Sequence, residues 1–285
     1  MSIRPILKYF SILALIALSS AIFNSCTKAE RDEDTETISA RDNALAYHIF
    51  DDAFRQVHRF AMRDTLLNDT GLIQKRDVCI RKGTLSDTVA IFPLYLNLNY
   101  SDDTANCDDG SDRYGVILAS FSGKYLNEGT DITIDFDGYR KDLYDVEGKI
   151  IVSNMGLNTD GRRYYKLVVT DGEITGNNID VKWEGEHEMV WVAGSSTDEE
   201  YEDDIFQISG EAKGRASKGN SFENEITSVY ISDLSCPWFQ SGKSELTIPN
   251  LQLRYIDYGT TGTCDNVISQ TRDLTTFEVE IPRGR

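Results

Sequence analysis

Two periods of apolar spacing divide the chain. Between residues 42 and 63, Ala46, Ile49, Phe50, Ala53, Phe54 and Val57 recur every three or four positions, which marks one face of an amphipathic helix. Ser39 and Asp42 stand before it at the spacing of a capping box. A single helix cannot bury its own stripe, so the stripe is expected to pack on a sheet. From residue 88 onward the spacing falls to two, as in Ile132, Ile134 and Phe136. Strands are expected at 88–100, 114–121, 131–136, 149–153, 164–170, 179–183, 189–193, 205–210, 225–234, 245–248, 251–258 and 276–281. Pro93 argues for an edge or a bulge in the first of them. Turn signals separate the rest: Asn127 to Gly129, Glu147-Gly148, Asp160-Gly161, Asp171-Gly172, Lys218 to Asn220 and Gly262. No gap is long enough for a crossover helix. The fold class is therefore mainly β: an antiparallel sandwich, a barrel or a long twisted meander, preceded by one helix.

The first residues follow neither period. Arg4 and Lys8 precede an apolar run from Phe10 to Phe23, and no acid occurs before Glu30. A basic start, a short apolar run and small residues at its end describe an export signal. Cys26 follows Phe23, Asn24 and Ser25, so the signal resembles that of a bacterial lipoprotein, in which this cysteine carries the lipid. Two or more acyl chains then give a stable anchor. Glu30, Asp32, Glu33, Asp34 and Glu36 make the next stretch polar and acidic, as expected of a tether. Three parts result: a signal over 1–25, the lipidated cysteine and tether over 26–39, and a helix plus β domain over 40–285.

Charge narrows the partners. The formal net charge is −18, and hydrophobic residues make up 40% of the chain. That balance supports a packed core and opposes nucleic acid as a partner. It leaves room for a membrane reached through a lipid anchor, and for a protein or glycan partner. With Cys26 lipidated, Cys79, Cys107, Cys236 and Cys264 remain, an even number that reads as disulfides in an exported chain. Pairing of Cys79 with Cys107 and of Cys236 with Cys264 is expected, because each pair brackets a strand or hairpin that brings its ends together.

The C-terminal third resembles a known group. Trp238 soon after Cys236, then Tyr258-Gly259 and the run Gly262-Thr263-Cys264-Asp265-Asn266, are similar to the ends of uncharacterised Bacteroidetes lipoproteins. The resemblance implies an envelope location, an N-terminal helix and a β-rich body. It implies no catalytic residues.

Candidate chemistry is sparse. His48, His58 and His187 are the only histidines, and no Gly-x-Ser-x-Gly elbow accompanies them. His48 and His58 point about 80° apart around a helix and do not make a shared metal site. Both are expected at the boundary of the core, and His187 at a hairpin tip. Asp108, Asp109 and Asp112 crowd one loop, and Glu199 to Asp204 forms a second acidic cluster. Calcium is the better cofactor guess for such ligands, although solvated loops need the same composition and no cofactor is otherwise expected. Trp183 and Trp191 flank an expected hairpin. Exposed on one face they would stack on sugar rings, and buried they are core. The sequence thus favours a non-catalytic binding or structural module at the outer membrane. A carbohydrate binder, a fimbria-like subunit and a hydrolase are the alternatives.

Overall fold

The computed structural model describes residues 34–69, 80–100, 107, 109–197 and 201–283. Helix α1 spans Ile38–Arg63. The first seven strands are β1 Ile80–Leu85, β2 Leu94–Tyr100, β3 Arg113–Phe121, β4 Asp131–Lys141, β5 Tyr144–Leu157, β6 Arg163–Gly176 and β7 Ile179–Ala193. The others are β8 Ile205–Arg215, β9 Ser221–Ser228, β10 Tyr230–Asp233, β11 Lys243–Thr247, β12 Arg254–Asp257, β13 Val267–Arg272 and β14 Thr275–Glu280. Among the described residues all fourteen belong to one antiparallel sheet. Each strand pairs with the next, except that β10 turns back onto β8 and lets β11 pair with β9. Of the three architectures open to the sequence, the meander is the one found.

The meander curls around α1. Twenty-one of the 26 helix residues are buried, a proportion reached only when a helix is covered on nearly all sides. Strands from distant parts of the sheet touch it. Gly83 of β1 lies under the Phe60 ring, and Tyr100 of β2 donates to Gln56 Oε1 at 3.4 Å. Trp183 of β7 donates to Asn43 Oδ1 at 2.9 Å, and Arg55 donates to Ser232 Oγ of β10 at 2.7 Å. The stripe of Phe50, Phe54 and Val57 is buried as expected. The opposite, polar face is buried too, including Asp51, Asp52, Arg55 and Gln56.

Bulges supply the curl, and they explain where the expected turns went. Gly148 and Gly172 lie inside strands, at register shifts between Glu147 and Lys149 and between Val169 and Gly172. Bulges and tight turns draw on the same left-handed backbone, taken here by Gly148 and Asp171, so the sequence signal does not separate them. Gly148 takes φ 119°, and a Cβ there would come within 2.8 Å of Gly172 Cα. Gly172 in turn leaves room for Phe50, whose ring a Cβ would meet at 2.8 Å. The expected strands at 179–183 and 189–193 are one strand, β7, and the stretch at 225–234 divides into β9 and β10. Pro93 stands just before β2 rather than inside it.

The helix starts earlier than its apolar stripe. Its N-cap is Thr37, without a side-chain cap bond. Glu36 caps from outside, accepting from Ser39 N at 2.7 Å and Ser39 Oγ at 3.0 Å. Asp42 does not close the expected capping box; its carboxylate accepts from Ser217 N at 2.7 Å. The compact unit accordingly begins at Glu36.

Candidate functional site

Both tryptophans, open to a sugar-stacking or a core reading, are core residues. Trp183 and Trp191 are each 2% exposed. Their alternation on β7 turns them inward, where Trp183 stacks on Phe50 and Trp191 donates to Asp204 Oδ1 at 2.8 Å. Neither offers a free face to a ligand. His187 shares that inward face in the middle of β7, not at a hairpin tip. Its Nε2 lies 3.0 Å from Tyr47 Oη.

His48 and His58 are also buried, and they face different neighbours. His48 stacks on Trp238 and hydrogen-bonds Pro237 O at 3.0 Å. His58 sits between Tyr125 Oη at 2.6 Å and Asp204 Oδ2 at 2.9 Å. Burial holds His187 down to about 4 and His48 well below the ordinary histidine value of 6.5. The fold therefore excludes a proton that the unfolded chain binds below pH 6.5. Stability from His187 is expected to be complete above pH 6.5 and to fall by roughly 3 kcal/mol as the pH approaches 4. Urea unfolding of wild type and His187→Gln at pH 7 and pH 4.5 checks this; parallel losses in the two proteins would contradict it.

The acidic loop before β3 holds an arginine. Asp109 pairs with Arg113, which also binds Asp52 of the helix, with Nε 3.1 Å from Asp52 Oδ2. Lys141 donates to Ser111 Oγ at 2.7 Å beside them. Burial pushes the Asp52 carboxyl up, but the Arg113 and Lys141 charges prevail and hold it well below the carboxylate range. Asp112 is not drawn into this group; its N–H donates to Asp142 Oδ1 at 3.0 Å. Asp108 lies outside the described residues, which contain no grouping of three or more acids, histidines or cysteines set to hold a metal. The guanidinium of Arg113 stands where a cation bound by Asp109 would sit. A cleft of about 220 Å³ opens over this cluster, with Arg55, Arg59 and Tyr201 in its wall.

Further concavities lie on the outer face, two of them of about 740 and 550 Å³. Between them a groove of about 450 Å³ crosses β6, β7, β8, β9 and β11. Glu186 stands opposite Glu211, Glu211 opposite Glu225, and Glu225 opposite Glu245. Four carboxylates thus form one cross-strand row, an arrangement that costs stability because like charges oppose directly. Lys166 pairs with Glu186 at one end of the row. The adjacent row is compensated, since Lys213 stands between Glu184 and Glu223. Sequence reading passed over these glutamates because an outward glutamate on a strand is ordinary; only the register lines them up.

One disulfide joins Cys236 to Cys264, with Cα atoms 5.8 Å apart. The β11–β12 hairpin lies between them, as the pairing from sequence requires. Cys107 is disulfide-bonded as well, and its expected partner, Cys79, lies outside the described residues, as does Cys26. No family model, curated protein or solved structure matches this chain.

Proposed function

We propose that the protein is an exported, lipid-anchored module of the outer membrane that binds a partner and catalyses no reaction. The observation that carries this reading is the helix inside the sheet. It fills the space that a curled sheet of this length would otherwise offer to a ligand, and it buries its own His48 and His58 and, through Tyr47, covers His187 of β7. Partners are left with the outer face, where the glutamate row lines the groove. Such a row suits a partner surface rich in lysine or arginine. Disulfides at Cys236–Cys264 and at Cys107 favour an oxidising compartment. The run ending at Cys26 supplies the anchor.

The anchor is tested by phase partition. Wild type is expected in the detergent phase and Cys26→Ser in the aqueous phase, with Cys26 as the mature N-terminus by mass spectrometry. Wild type in the aqueous phase would sink the lipoprotein reading. For the groove, crosslinking on intact cells is expected to lose its adducts in a Glu211→Lys, Glu225→Lys double variant. An unchanged set of adducts would move the binding face elsewhere.

A further inference from the structure

Three hairpins end on exposed leucines, all at the same end of the sheet. Leu143, Leu251 and Leu274 are 47%, 39% and 101% exposed. They lie in the turns that follow β4, β11 and β13. Neighbouring strands run antiparallel throughout, so these three turns share an end of the meander.

Two of the turns repeat one design. Lys141 pairs with Tyr144 across Asp142-Leu143, and Arg272 pairs with Thr275 across Asp273-Leu274. In each, the aspartate takes a left-handed φ, 56° and 50°. That position explains the aspartate, which tolerates such a backbone. Nothing in the turn calls for a leucine at the second position, and neither leucine reaches the core.

The N-terminus of α1 lies at the same end. Gln270 Nε2 of β13 donates to Glu36 O at 2.8 Å, and Ser217 N in the turn between β8 and β9 donates to Asp42. The C-terminus of α1 lies at the other end, where Tyr125 N bonds Leu67 O. Twelve residue steps separate Cys26 from Ile38, a contour of at most about 40 Å. A lipid on Cys26 thus keeps the end that carries Leu143, Leu251 and Leu274 close to the bilayer surface, at a high effective concentration.

We propose that Leu143, Leu251 and Leu274 form a second membrane contact, entering the lipid interface beside the anchor and setting the orientation of the body. The partner is the acyl boundary of the bilayer, which accepts leucine and asks for no charge. This inference rests on the lipoprotein reading. It orients the sheet with its strands running away from the membrane, so the outer groove faces sideways and stays open to a partner. Val89 and Ile91, which are 50% and 67% exposed in the turn between β1 and β2, and Leu157, 63% exposed at the last position of β5, mark the opposite end and face away from the lipid.

The test uses the full lipidated protein in phosphatidylcholine vesicles with brominated acyl chains. Leu274→Trp and, separately, Ile91→Trp add one exposed indole each to the buried native tryptophans, and neither exposed site threatens folding. The added Leu274→Trp emission is expected to fall roughly twofold in brominated relative to plain vesicles, and the Ile91→Trp emission to stay unchanged. A protein that floats with the vesicles while neither added indole is quenched would overturn the contact and leave the anchor standing. Equal quenching at both ends would overturn the fixed orientation. A protein that fails to float removes the anchor, and the inference falls with it.

Discussion

Phe54→Ala is expected to destabilise the fold by about 3–5 kcal/mol, as large aromatic truncations in a packed interior do. Phe54 is 1% exposed on the central helix. Its ring packs edge-on against Phe206 with centroids 5.6 Å apart, and it also touches Tyr165 and His58. These neighbours sit on β6, β8 and the helix itself, three elements that cannot close together on a vacated ring without breaking ladder bonds. The cost should therefore stand near the top of its range. Urea unfolding monitored by circular dichroism measures it. A melting temperature equal to wild type would mean that the helix does not bind the sheet through this stripe.

Removing the cation of the buried ion cluster is expected to cost nearly as much. Arg113→Met leaves the Asp52 carboxylate buried with its chief partner gone, a change worth about 3–5 kcal/mol. The sign with pH follows from the carboxyl. In the wild type Arg113 and Lys141 hold it well below the usual range against the push of burial. Its contribution is thus present above the ordinary aspartate value of 3.8 and is lost as the pH falls below it. Without Arg113, burial raises the carboxyl, and protonation relieves the variant. The gap between the proteins should narrow as the pH drops toward 4. Adding Asp52→Asn to Arg113→Met should recover part of the loss at pH 7, because no unpaired charge is then buried. A single variant that loses less than about 1 kcal/mol would show the pair to be solvated rather than buried.

Periodicity revealed the elements better than it revealed their arrangement. The helix, most strands and the Cys236–Cys264 pair were legible, because apolar spacing and hairpin geometry are local. Strand lengths were not. Gly148 and Gly172 carry the chemistry of turns and serve as bulges, and the choice depends on partner strands far along the chain. The polar face of the helix misled for a related reason. Asp52 and Arg55 carry no local sign of burial, and Arg113 and Ser232 cover them from 61 and 177 positions away. Trp183 and Trp191 lay open to two readings until their inward register on β7 decided for the core. The glutamate row was invisible for the same cause: each member is ordinary, and only the pairing of four strands makes them neighbours.

The position of the helix in the chain governs how this fold can be assembled. The helix is made before any strand, yet Glu36 at its start is bonded by Gln270, 234 residues later. Hairpins between successive strands can form as soon as each pair exists, since their contacts are short in sequence. The helix has no such early partner on all sides, and its apolar stripe stays uncovered until the sheet is long enough to curl. Folding should therefore be slow at this one step and fast elsewhere. A chain halted before β8 would display Phe54 and its neighbours to any apolar surface at hand. C-terminally truncated forms are therefore expected to be recovered bound to a holding chaperone, and full-length protein free of it.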